Sequence, residues 1–116
     1  MRHLIIHLFA LLVIACSPAA GAPLHIPEAE GKKAAIEKPA PEYPLVARQL
    51  KVAGKVNLEA DVSAEGEVTE VRIVNGNPIL TKPAAQALRK WKFKPFLENG
   101  KPSAAVVSLS FEFETH

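Results

Sequence analysis

Ala105-Val106-Val107-Ser108-Leu109-Ser110-Phe111-Glu112-Phe113 decides how the rest of the chain is read. Every odd position is apolar and every even one except Val106 is polar or charged, which is the period of a half-buried strand. Such a strand needs a partner layer, and the residues before it supply one. Glu98-Asn99-Gly100-Lys101 makes a turn, and Pro95 forbids a helix from running on past it. Leu80, Ala84, Ala87, Leu88 and Trp91 mark one helical face, with Thr81 expected as its cap and Pro83 in its first turn. Asn75-Gly76-Asn77-Pro78 breaks the chain before that helix.

Further upstream, Lys55 to Val62 alternates with every even position apolar, and Ser63-Ala64-Glu65-Gly66 turns it back. The return strand, Glu67 to Val74, changes phase between Val68 and Val71, so a bulge near Thr69 is expected to restore its inward face. Pro44 suits the first turn of a short helix over 44–52, where Leu45, Val46, Gln49 and Leu50 recur near helical spacing before Gly54. The expected fold class is therefore α+β. Two short helices pack on one face of a three-stranded antiparallel sheet, in the order helix-strand-strand-helix-strand. No internal repeat is visible.

The chain has 116 residues, of which 41–116 form the expected domain. A unit of that size buries only about 60% of its unfolded surface, so function is expected on its surface rather than in a deep pocket. Residues 1–22 read as an export signal. Met1-Arg2-His3 gives a positive start, and Leu4 to Ala15 is apolar except for His7, shorter than the roughly 20 residues of a spanning helix. Val13-Ile14-Ala15-Cys16 has the form of a lipoprotein signal, and cleavage before Cys16, with Cys16 lipidated, is favoured. A cut after Ala20-Gly21-Ala22 competes but places Pro23 just past the bond. A third reading keeps residues 4–22 as an uncleaved anchor. Residues 23–40, rich in Pro, Ala, Glu and Lys, read as an extended linker.

Composition excludes several classes. Fourteen basic residues face twelve acidic ones, a net charge of +2, too balanced for nucleic-acid binding. Lys82, Arg89, Lys90, Lys92 and Lys94 form a local excess that a solvated helix face explains more simply than a binding patch. Cys16 is the single cysteine, so no intramolecular disulfide can form. The four histidines, His3, His7, His25 and His116, all fall in the signal, the linker or the C-terminus. No metal site, cofactor or histidine base is expected. Glu59 and Asp61 share a polar strand face, where carboxylates keep ordinary acidity. The chain reads as a non-enzyme.

What remains is a sheet with an edge. The strand over 104–114 is long, and an open edge can take an extended peptide through backbone pairing. On periodicity alone, a plain edge strand kept soluble by Glu112 and Glu114 is the simpler account.

PEYP (41–44), Ala47, Gly54, the alternating strand, Gly66 with Val68, and WKFKP (91–95) with Gly100 occur in an order and spacing that resembles the C-terminal domain of the TonB family. The resemblance covers about the last two-thirds of the chain. It implies a periplasmic protein-binding module of a Gram-negative bacterium, whose partner is an outer-membrane transporter in energy-coupled transport. By the same resemblance the contact residues are Val106, Ser108, Ser110 and Glu112 on the last strand, and Pro41, Glu42, Tyr43 and Pro44 before the first helix. Tyr43 and Trp91 read as packing anchors. A histidine in the family's membrane helix couples to a motor complex, whereas His7 lies in a run too short to span. The family's transducers carry a membrane helix and a long spacer, so this chain is expected to be a soluble or lipid-anchored relative; a homodimer is compatible with it. The alternative is a structural envelope lipoprotein that binds peptidoglycan or another envelope protein.

Overall fold

The computed structural model describes residues 22–114, so the export signal and Cys16 lie outside the described residues. The elements in chain order are β1 (Leu24–Ile26), α1 (Glu28–Ala34), β2 (Ala35–Glu37), α2 (Leu45–Gln49), β3 (Gly54–Val62), β4 (Val68–Asn75), α3 (Pro78–Arg89), β5 (Lys92–Phe93), β6 (Phe96–Glu98), β7 (Lys101–Ser103) and β8 (Ala105–Phe113). The main sheet has four strands in the order β1-β8-β3-β4. β3 lies between β8 and β4, antiparallel to both.

The alternation in the sequence becomes the two faces of this sheet. Val56, Leu58, Ala60 and Val62 of β3 and Ala105, Val107, Leu109 and Phe113 of β8 are buried, and Leu80, Ala84, Ala85 and Leu88 of α3 join them in one core. The opposite face carries an exposed cluster in which Arg72 donates to both carboxylate oxygens of Asp61, at 2.7 and 2.8 Å, and to Glu59 at 3.4 Å. The bulge falls at Thr69: Asp61 pairs with Glu70 and Val62 with Val68, leaving Thr69 without a place in the ladder. The Asn99-Gly100 turn joins β6 to β7 with both residues at positive φ, 53° and 80°, which suits a two-residue hairpin.

Gly66 holds the turn after β3 against the WKFKP segment. Its φ is +96°, its carbonyl accepts from the Phe93 N–H at 2.9 Å, and a Cβ there would stand 1.9 Å from the Phe93 carbonyl oxygen. Only glycine combines that backbone conformation with that approach. Phe93 is thereby locked beneath Trp91 and Phe96, with ring centroids 6.0 and 5.7 Å away.

Three sequence expectations need correction. The second helix begins at Pro78 and not near Thr81, because the Asn77 side chain accepts from the Ile79 N–H and caps it one turn earlier. Pro83 therefore lies inside the helix. The first helix spans only Leu45–Gln49, since Lys51 turns to a positive φ of 58° before Gly54 is reached.

The larger correction concerns residues 23–40, read as an extended linker. They carry β1, α1 and β2, which raises the sheet to four strands and the helices to three. Pro27 sits at the N-cap of α1, where proline interrupts nothing, and Glu28 and Glu30 in the first turn with Lys32 and Lys33 in the last complement the helix dipole. Ile26 is buried in the core, a contribution of about 1.5–3 kcal/mol. At the end of α1 the Ala34 carbonyl accepts from the Lys94 N–H, and beyond it β2 pairs with β5 and the Pro39 carbonyl accepts from Trp91 Nε1 at 3.0 Å.

Candidate functional site: the outer edge of the last strand

One side of β8 is spent on β3, with all nine residues from Ala105 to Phe113 in register against Val62 to Gly54. The other side faces outward. Its polarity can be read from Ser110, whose N–H donates to the Glu28 carboxylate at 3.2 Å, away from β3. Backbone groups alternate in direction along a strand, so Val106, Ser108 and Glu112 also point their N–H and C=O groups outward. The four β8 residues read from the sequence as contacts are the four whose backbone lies on this edge.

The edge is partly occupied. β1 pairs with β8 in parallel, Leu24 against Ala105, His25 against Val106 and Ile26 against Val107, and the Leu24 N–H donates to the Ala104 carbonyl at 3.1 Å. Val106 is therefore already paired. Next along, the Glu28 carboxylate accepts from the Ser110 N–H and, at 2.8 Å, from its hydroxyl. Burial acts to raise the Glu28 pKa, but the Ser110 bonds and the Lys32 ammonium, 3.2 Å away, outweigh it and hold the carboxyl below its usual range. Ser108 and Glu112 have exposed side chains.

The segment 41–44 is divided. Tyr43 turns toward the end of β8: its ring meets Phe113 edge-on at 5.5 Å, its hydroxyl donates to the Val52 carbonyl, and the Arg48 guanidinium lies over its face at 5.2 Å. Glu42 and Pro44 instead line a shallow groove of about 400 Å³ with Val46, Pro78, Ile79 and Lys82. Pro41 is half-buried. Only Tyr43 of the four thus has a described contact with β8. Trp91, buried against Phe93 and Phe111, is a packing anchor.

Glu28 and the Leu24–Ile26 strand were missed by sequence reasoning, although the acidic-then-basic order of residues 28–33 after Pro27 was a readable helix signal. Among the described residues no group of three or more His, Cys, Asp or Glu comes together, and no helix is long and apolar enough to cross a membrane.

Residues 39–115 match the family described as Gram-negative bacterial TonB protein C-terminal. The chain belongs to the TonB C-terminal family. As such it is a non-catalytic domain of a TonB-like envelope protein. It is 31% identical over 75 residues to protein TonB of Escherichia coli K12, a match covering 63% of this chain and 30% of that protein. Its curated TonB relatives are thus matched over about a third of their length.

Solved TonB domains share the fold. The solution NMR structure of the Pseudomonas aeruginosa TonB C-terminal domain superposes with a TM-score of 0.60 at 23% identity, over 71% of this chain and 85% of that one. The TonB2 protein of Vibrio anguillarum gives 0.55 at 25% identity, over 85% and 97%.

Proposed function

We propose that this TonB-family domain is a periplasmic protein-binding module that captures an extended segment of an outer-membrane transporter by strand addition at the outer edge of β8, as part of energy-coupled transport. The observation that carries the reading is the outward row of backbone groups at Val106, Ser108, Ser110 and Glu112, with β1 already using one end of that row for parallel pairing. Backbone groups then supply affinity, and the side chains of the captured segment supply selectivity. Tyr43, packed against Phe113 at the end of β8, is the residue of 41–44 that lies next to this strand. A lipid on Cys16 would tether the module to a membrane.

A photo-crosslinking residue at Ser108, whose side chain is exposed beside the edge, tests this in growing cells. The reading expects crosslinks to the N-terminal periplasmic segment of an outer-membrane transporter, identified by mass spectrometry. Crosslinks confined to peptidoglycan or to a structural lipoprotein would replace it with a scaffolding role.

A further inference from the structure

The edge assigned to partner capture is covered by the chain's own residues. Over Ala105 to Val107 the cover is β1, paired as a parallel strand. At Ser110 it is the Glu28 carboxylate, which takes the N–H that an incoming strand would need. Past β1 the stretch of this edge without strand pairing runs only from Ser108 to Glu112, and Glu28 holds the N–H at its middle. The fit of the cover depends on Gly31. α1 lies so close over β8 that a Cβ on Gly31 would stand 2.4 Å from Val107 Cγ1.

The cover is also lightly attached. In residues 22–34 only Ile26 and Gly31 are buried, and the strand is three residues long. From the Ala34 carbonyl onward the chain is held separately, by its bond from the Lys94 N–H, by β2 against β5 and by Trp91 to Pro39. Segments with few buried side chains open at the low end of a protein's stability range. Residues 22–33 can therefore leave β8 while 34–39 stay docked on the Trp91 to Lys94 segment.

We propose that residues 22–33 are a built-in competitor for the recognition edge: β1 and Glu28 occupy β8 in the resting chain, and a partner strand binds after they are displaced. This rests on β8 being the site of capture. The apparent affinity for the partner is then reduced by the fraction of molecules in which the cover is closed.

The test uses the exported full chain with Cys16→Ser, His25→Cys and Val106→Cys. The two new cysteines occupy a paired register position on neighbouring strands, about 4.8 Å apart and within the Cα separation a disulfide accepts. Oxidation locks β1 onto β8 and reduction frees it, so each sample is its own folding control. The probes are synthetic peptides covering the N-terminal periplasmic segments of the outer-membrane transporters of the bacterium that makes this chain, with binding read by fluorescence anisotropy. The locked form is expected to bind at least about tenfold more weakly than the reduced form. Glu28→Ala in the otherwise unaltered chain is expected to bind about tenfold more tightly than the parent. Equal affinities in locked and reduced forms, with binding still abolished by Ser110→Pro, would overturn the competitor while leaving β8 as the capture site. Binding indifferent to Ser110→Pro, or no binding in any form, would overturn both.

Discussion

Glu28 and Ser110 stand 82 residues apart in sequence, yet one carboxylate oxygen of Glu28 accepts both the backbone N–H and the hydroxyl of Ser110. The bond ties the N-terminal segment to the strand that carries the proposed binding edge. Its acid sensitivity follows from the lowered Glu28 pKa. A carboxyl depressed in the folded state contributes stability above its ordinary value of 4.5 and loses it as pH falls through the lower folded value. The Ser110 amide resonance is expected to titrate with a midpoint below 4.5, and Lys32→Ala, which removes the neighbouring ammonium, should move that midpoint upward. A midpoint at or above 4.5 in the parent chain would show that burial outweighs the Ser110 bonds.

Gly66→Ala should destabilise the domain by at least about 2 kcal/mol in urea unfolding. The added methyl meets the Phe93 carbonyl, and the backbone sits at a positive φ. A loss under about 0.5 kcal/mol would mean that the turn and the WKFKP segment separate freely.

Arg72→Ala should lower the melting temperature only slightly at neutral pH despite the two-oxygen contact with Asp61, because the group is solvent-exposed and water screens it. The Asp61 carboxyl is lowered chiefly by its hydrogen bonds to Arg72, so the contribution is present above the usual 3.8 and fades as pH falls below it. Comparing parent and variant melting temperatures from pH 7 down to acid should show the gap closing only at the acid end. A gap that widens in acid would contradict the assignment.

In the last two-thirds of the chain the three long strands and the two helices announced themselves locally, while β5, β6 and β7, two or three residues each, were too short to show a period. The phase slip between Val68 and Val71 is the bulge at Thr69, and Asn99-Gly100 is the hairpin turn. Residues 23–40 were read through their prolines as a tether, and that reading failed for a specific reason. Pro27 stands at a helix start, and a three-residue strand such as Leu24–Ile26 is too short to show a period; its existence depends on β8 offering an edge to pair with. The edge residues of β8 were legible as an alternating set. Their engagement by Glu28 was not, since nothing local links residues 82 positions apart.

Cys16 lies outside the described residues, and its lipidation is expected from Val13 to Cys16 following the apolar run. Intact-mass measurement of the protein purified from membranes should find the chain beginning at a diacylated or triacylated Cys16. A mature chain that begins at Ala20 or Pro23 would make the domain free in the periplasm.

The capture of a partner by the β8 edge is tested most directly at Ser110. Its N–H points away from β3, so proline there leaves the β3 ladder in place while removing the outward donor and the Glu28 contact. Ser110→Ala keeps the donor and loses only the hydroxyl. Affinity for the transporter segment crosslinked at Ser108 is the quantity to measure, with circular dichroism confirming that both variants are folded. The alanine variant should bind at least as well as the parent, because loss of the hydroxyl bond loosens the Glu28 cover, and the proline variant should bind at least about tenfold more weakly. A folded proline variant with unchanged affinity would place the partner elsewhere on the domain.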